Sequence, residues 1–472
     1  MPLVLDVRHR LLVPGLALAT ALLFGALVGL NPMLGVAFAG AVAVCLLAFL
    51  APMTHLTVLL ILTVVVPYSF QNALAAGAGL LPSDLFLLTG LLRAGVVLLR
   101  SPLDARRTLV AALFLLFLGG SFLQFIHGLR AGADLSAAGA EFRPLLSYGA
   151  LVVALPMVAD AAARPRLLKG LLVVGLLLGL WGIAQWGLNL SYGGAGDVGV
   201  RSGVRLTSGG SGQIQGGLYG FPVAVGLACA ALMSGEIRSV RQRVLVLAAL
   251  ALNAAALLLT FERTFWVGAL AAVALVTLRL GTRGRMRALL LMPVLALVGL
   301  GALAALAPAQ LVTARERLLS LNQYGSDNSV RYRVIETQHV VAKIQDHPIV
   351  GSGLADTIFW GRPYAGVPPA SYVFSHNGYL WMAWKVGIPL TVLLCLLIGL
   401  PILWRGPPQG DRLYAAVRAG CQAGLFALLV ICIFWPDVRI LSITPAIGVF
   451  IAVAATPRTT VGHPVSERSS AT

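Results

Sequence analysis

SVRYRVIETQHVVAKIQDHPIVGSGLADT, residues 329–357, and SHNGYLWMAWKVGIP, residues 375–389, are the polar interruptions that organise an otherwise apolar chain. After Gly325, either Asp327 or Ser329 can cap a helix, and Val330, Val334, Val341 and Ile344 recur at helical spacing. Arg331, Arg333, Glu336 and Lys343 fill the remaining positions, so the pattern predicts an amphipathic helix lying in a membrane interface. Arg333 and Lys343 read as its wet face. His347-Pro348 and Gly351/Gly353 stop the helix and turn the chain, which gives His347 a structural role. A loop containing Pro, Gly and Tyr follows. Ser375 or Asn377 then caps an apolar helix, with Tyr379 and Trp381 suited to an interfacial aromatic belt. That account leaves His376 unexplained. An imidazole titrates near neutrality and can take a proton from a hydroxyl.

Outward from this stretch, the composition selects a membrane protein. Of 472 residues, 58% are hydrophobic and 11% charged, against about 25% charged in soluble domains. The apolar runs are continuous, which selects helices over a barrel. They lie near 11–30, 33–51, 55–70, 84–99, 108–126, 144–160, 168–188, 217–233, 243–261, 264–281, 288–307, 378–403, 413–435 and 440–456. The fold class is therefore all-α and polytopic, with about 12–14 spans of roughly 20 residues each. The first run follows Arg8 and Arg10 without a small-residue cleavage site and reads as an uncleaved span. Asp84, Arg93, Lys385 and Arg418 fall in or near spans, towards ends from which they can snorkel. Five cysteines, all in apolar runs, read as packing residues.

The formal charge of +17 reads as topology signal, not as a nucleic-acid surface. With the N-terminus inside, Arg100, Arg106, Arg107, Arg164, Arg166, Lys169, Arg238, Arg241, Arg243, Arg279, Arg283, Arg285 and Arg287 face the cytoplasm. The chain then divides into N-terminal membrane helices (1–307, with outer loops 127–143 and 189–216), a large outer loop (308–377), C-terminal membrane helices (378–456) and a disordered cytoplasmic tail (457–472). The first part of the large loop, near 309–323, also has a helical pattern.

Three further places hold candidate groups. In loop 127–143, Arg143 either anchors the ends of two spans or joins a phosphate-binding cluster. The Gly- and Ser-rich loop 189–216 is either a linker with incidental charge or a close backbone approach to a ligand gripped by Arg201 and Arg205. Glu262 and Arg263 sit between two apolar runs. A charged pair at that depth is costly unless paired or functional. It reads as a hairpin ion pair or as Arg263 facing an anionic head group with Glu262 restraining it.

Taken together, Glu262-Arg263 after a hydrophobic span, Arg331, the turn His347-Pro348-Ile349-Val350-Gly351-Ser352-Gly353 and His376-Asn377-Gly378-Tyr379-Leu380 resemble the O-antigen ligase and polymerase family of bacterial membrane glycosyltransferases. The hydropathy layout is similar along nearly the whole chain, while the motifs are confined to about 263–387. Glu262 replaces the family's usual small hydroxyl residue. Ile335 and Thr337 stand where the family often has an aromatic.

The resemblance implies a GT-C-like membrane enzyme of the bacterial inner membrane, acting on its extracytoplasmic side. A glycan would pass from an undecaprenyl-type diphosphate carrier to an acceptor sugar hydroxyl, with inversion and without metal or cofactor. His376, Arg331 and Arg263 would be catalytic. Arg201, Arg205, Arg263, Arg331 and Arg143 would bind the donor diphosphate, and Asn377, Tyr379 and Glu262 would support them. The partners implied are the lipid-linked glycan, a glycan or glycolipid acceptor and membrane lipid, with no nucleic acid. Loop 308–375 carries six basic and five acidic residues, so placement of particular arginines must attract the donor. A polymerase needs the same donor chemistry as a ligase. A transporter stands third, because the chain shows no matching halves.

Overall fold

Apolar runs bounded by Pro, Gly and charged residues become helices stacked side by side. The computed structural model describes residues 32–74, 80–101, 103–188, 217–237, 239–290, 328–360, 370–404 and 412–456, with isolated residues at 293, 301, 304, 308, 312 and 315. The runs near 11–30 and 288–307, the helical pattern near 309–323 and the tail lie largely or wholly outside them. Among the described residues, five helices are long and apolar enough to cross a membrane: Ala105–Arg130, Leu135–Ala159, Arg164–Gly187, Val240–Leu258 and Arg412–Cys432. Phe38–Leu50, Pro52–Val65, Gly220–Ser234, Ile388–Leu403 and Thr444–Ala454 are shorter apolar helices. The protein is thus a mostly helical, multi-pass membrane protein.

Burial separates the middle from the rim. The apolar window of Arg412–Cys432 is 78% buried, against 28% for Ala105–Arg130. The first is the central post, packed against Gly220–Ser234 and against the helix Arg263–Arg279. The second turns Leu115, Leu116 and Leu123 outward, as a lipid-facing helix does. A two-stranded antiparallel ribbon, Ile358–Trp360 with Ala370–Tyr372, follows the loop helix.

Five sequence expectations change here. The apolar run 378–403 is two helices, Gly378–Val386 and Ile388–Leu403, because Gly387 takes φ +85° and Pro389 opens the second. The loop helix Asn328–Asp346 begins before Ser329, which therefore cannot cap it. It buries Glu336 and Val340 while exposing Val334 and Val341. Its inner face thus runs through Tyr332, Glu336, Val340 and Lys343, because a hydrogen bond with His376 and an ion pair with Asp356 admit the Glu and the Lys to the packed side. Trp381 is not a belt residue: it is fully buried, and its indole N–H donates to Val373 O at 3.1 Å. Lys385 and Arg418 do not snorkel; they are 0% and 3% exposed and bonded inside the protein.

Candidate active site

A nine-residue helix, Gly378–Val386, presents the histidine. The Asn377 side chain accepts from Leu380 N at 3.0 Å and caps it. Gly378 has no side chain because a Cβ there would stand 2.5 Å from Cys432 Sγ. The helix start is therefore pressed against the end of Arg412–Cys432.

The loop helix delivers the histidine's partner. Glu336, 3% exposed, accepts from the His376 backbone N–H at 3.2 Å and lies 2.9 Å from Nδ1. With Nδ1–H donating to this carboxylate, Nε2 carries the lone pair and can accept a proton. Three rings wall the imidazole edge-on: Phe374 at 4.7 Å, Trp435 at 5.6 Å and Tyr332 at 5.9 Å between centroids. Trp435 leads on to Phe265 at 6.3 Å, and Phe265 to Tyr219 at 5.2 Å. Phe265 lies in the first turn of Arg263–Arg279, so the start of that helix belongs to the same cluster as His376.

A second layer of charge stands behind the first. The fully buried Lys385 ammonium donates to Glu141 Oε1 at 3.1 Å and to Asp356 O, and sits 4.2 Å over the Trp384 ring. Glu141 also accepts from Ala355 N at 2.7 Å and lies 4.0 Å from Arg439. Asp356 takes the Trp384 indole N–H at 2.7 Å and pairs with Lys343 at 3.1 Å. Arg439 donates to Val373 O at 3.2 Å and spreads over the Phe374 and Trp381 rings. Its neighbour Asp437 is fully buried, and neither carboxyl oxygen makes a well-formed hydrogen bond. Burial pushes that carboxyl well above the usual carboxylate range, with the Cys432 thiol and the Val438 amide pulling more weakly the other way.

The glycine turn 347–353 clasps this assembly. Ser352 N and Gly353 N donate to Trp384 O and Lys385 O, the last carbonyls of the histidine helix, at 2.8 and 3.0 Å. Ile388 N returns a bond to Pro348 O at 2.9 Å, and Leu354 N reaches Gln124 O at 3.2 Å. Gly351 (φ +78°) and Gly387 (φ +85°) meet backbone to backbone, and a Cβ on Gly387 would lie 2.1 Å from Ile349 O. Only glycine tolerates both the conformation and the approach.

The predicted residues separate by place. His376 and the helix start bearing Arg263 and Glu262 come together. Glu262 is the N-cap residue of that helix without a side-chain cap bond, and Arg263 is the first residue of the helix itself. Arg331 lies on the loop helix, directly before Tyr332. Arg143 pairs with Asp84 at 3.3 Å and Tyr68 at 3.3 Å, two residues and about 200° of helix from Glu141. Asn377 is a cap, and the Tyr379 hydroxyl donates to Leu429 O at 2.7 Å. Arg201 and Arg205 lie outside the described residues. Glu336, Trp435, Asp437 and Arg439 escaped the sequence reading as site residues. The signal for the last three was WPDVR, five residues at 435–439 with two charges between two apolar runs.

Residues 245–395 match the family model described as O-antigen ligase. This stretch, about a third of the chain, is similar to the O-antigen ligase domain. That domain contains Arg263, Arg331, Glu336 and His376, whereas Glu141 and the WPDVR turn come from outside it. The match makes this a polysaccharide-related membrane enzyme. A comparison with curated proteins gives no match.

Proposed function

We propose that this O-antigen ligase-like protein moves a glycan from a polyprenyl diphosphate carrier to a sugar hydroxyl of a separate acceptor, at the outer face of the bacterial cytoplasmic membrane. The observation that carries the reading is the Glu336–His376 pair, set beside the helix start that bears Arg263. His376 Nε2 takes the acceptor proton as the hydroxyl oxygen attacks the anomeric carbon. The bond from that carbon to the diphosphate oxygen breaks, and the carrier diphosphate leaves with the electron pair. One direct displacement inverts the anomeric centre. Glu336 holds the imidazole in the accepting tautomer and stabilises the imidazolium that forms.

A diphosphate needs charge stabilisation more than an acid, and guanidinium groups supply it. Arg263 and Arg331 take this role, with Arg439 added from the structure and Arg201 and Arg205 from the sequence. Arg143 is left as an anchor of Asp84. Sidedness is supported by the far end of the bundle, where Arg106, Arg164, Arg279 and Arg418 gather round Trp404 and Tyr414. The positive-inside rule assigns that end to the cytoplasm.

The test is purified protein with a polyprenyl-diphosphate-linked oligosaccharide, with and without acceptor, resolved by mass. One glycan block on a separate acceptor is expected, and EDTA should leave the rate unchanged. A ladder grown on the carrier itself would replace ligase with polymerase. Intact carrier after incubation with verified protein and donor would overturn the reading.

A further inference from the structure

Two neighbouring helices touch at one end and leave a space at the other. Where Arg164–Gly187 meets Val240–Leu258, glycines bring the two together: a Cβ on Gly179 would stand 2.8 Å from Leu252 Cβ, and one on Gly182 would stand 2.7 Å from Ala256 Cβ. Asn253, fully buried, ties the pair by donating to Gly175 O at 2.7 Å. Towards their first residues the same helices leave a cavity of about 550 Å³, with Gly220–Ser234 as its floor. The floor helix fixes its place in the bundle. Tyr219, which caps that helix, belongs to the ring cluster of His376, and Ala231 on the cavity is about 18 Å further along at 1.5 Å per residue.

The cavity has an apolar body and a polar mouth. Small residues hold it open: Ala224, Ala228 and Ala231 from the floor, Gly175 and Ala249 from the walls. Val173 lines it and is also 44% exposed, so the space reaches the outer, lipid-facing surface. At the mouth the lining includes Lys169, Ser239, Arg241 and Gln242. Arg241 stands in the first turn of Val240–Leu258 and Lys169 in the second turn of Arg164–Gly187, both with exposed side chains. A helix start carries partial positive charge and favours an anion. Cations placed there add to that field, so helix starts and side chains favour negative charge together.

Topology accounts for basic residues at this end of the bundle; it does not account for an open apolar space beneath them. We propose that the cavity holds an acyl chain of an anionic phospholipid from the adjoining leaflet, with its phosphate at Lys169 and Arg241. The size lies within the roughly 300–1,000 Å³ usual for ligand pockets. Packed interiors hold few voids larger than a water, because the lining of an empty space forfeits its dispersion contacts. A lipid chain entering past Val173 restores those contacts, and the mouth selects the head group by charge. This site is separate from the proposed glycosyl transfer and does not rest on it.

The test is native mass spectrometry of the detergent-solubilised full chain with phosphatidylglycerol, phosphatidylcholine of the same acyl chains, or glycerol phosphate, which has a head group and no chains. Phosphatidylglycerol is expected to be retained above phosphatidylcholine, and glycerol phosphate not at all. Arg241→Gln changes an exposed side chain and should weaken phosphatidylglycerol about fivefold, the worth of one basic residue beside an anionic head group. Gly175→Leu fills the cavity instead. Its Cβ would stand 3.8 Å from Ala224 Cβ, an ordinary contact, so the lipid-free melting temperature should hold while retention of both phospholipids falls. Equal retention of the two phospholipids by the wild-type chain would overturn the site, as would retention of glycerol phosphate. Undiminished lipid retention by a folded Gly175→Leu chain would do the same. If that variant loses its fold, Arg241→Gln decides alone, and unchanged phosphatidylglycerol affinity there overturns the proposal.

Discussion

The two ends of the bundle neutralise buried charge by different means. At the histidine end, side chain meets side chain: Glu336 with His376, Glu141 with Lys385, Asp356 with Lys343, Asp84 with Arg143. At the Trp404 end, Arg279 and Arg418 donate to backbone carbonyls at helix ends. Ion pairs can exchange protons and re-form around a changing charge. A carbonyl at a helix end fixes where a cation stands without exchanging a proton with it. The first arrangement suits a reaction, the second a fixed counter-ion.

Substitutions at the two ends can break or sharpen that contrast. His376→Ala should have the largest effect, a loss of about 10²–10⁴-fold in transfer rate with folding retained, since it removes the proposed general base. Near-normal turnover in the oligosaccharide assay would end the assignment. Lys385→Met removes one partner of a buried pair and leaves Glu141 to the Ala355 amide and the more distant Arg439, at a cost of about 3–5 kcal/mol in stability, read by thermal or denaturant unfolding. Glu336→Gln keeps the shape but lets the imidazole turn to its other tautomer. A loss on the order of 10²-fold in kcat with little change in donor KM is expected.

Arg418→Met, at the carbonyl end, should cost less than Lys385→Met, about 1–3 kcal/mol, for the Ala454 and Trp404 carbonyls that lose their donor. If it cost as much, the distinction between the ends would fall. The smallest effect belongs to Asp437→Asn. The native pKa of Asp437 is raised, so the folded state keeps a proton that the unfolded state loses. Its contribution is therefore complete below the unfolded carboxyl pKa and declines as pH rises towards the folded value. Asn should equal the wild type near pH 4 and match or exceed it at pH 8, measured as melting temperature.

Helices were legible because their apolar runs are long: 168–188 and 243–261 correspond to Arg164–Gly187 and Val240–Leu258 within a few residues. His376 stood out because capping left it without a purpose, and the structure sets it against Glu336. Glu336 was not, since the reading by periodicity counts every Glu as wet, and its burial depends on a partner 40 residues away. Lys385 misled for the same reason, its partner Glu141 lying 244 residues back. The WPDVR turn was passed over because five residues between two strong spans look like a connector.

The glycine clasp has a consequence for recombining such enzymes. Because the turn 347–354 is hydrogen-bonded to the end of the histidine helix and to Gln124, the segment that carries it is no detachable module. A chimera cut at the polar–apolar boundary near residue 377 would pair one parent's turn with another's Gly387 and helix end. The crossover that respects the joint lies after Gly387, so that turn, histidine helix and hinge travel together, and the graft must also suit Gln124 and Glu141 of the host.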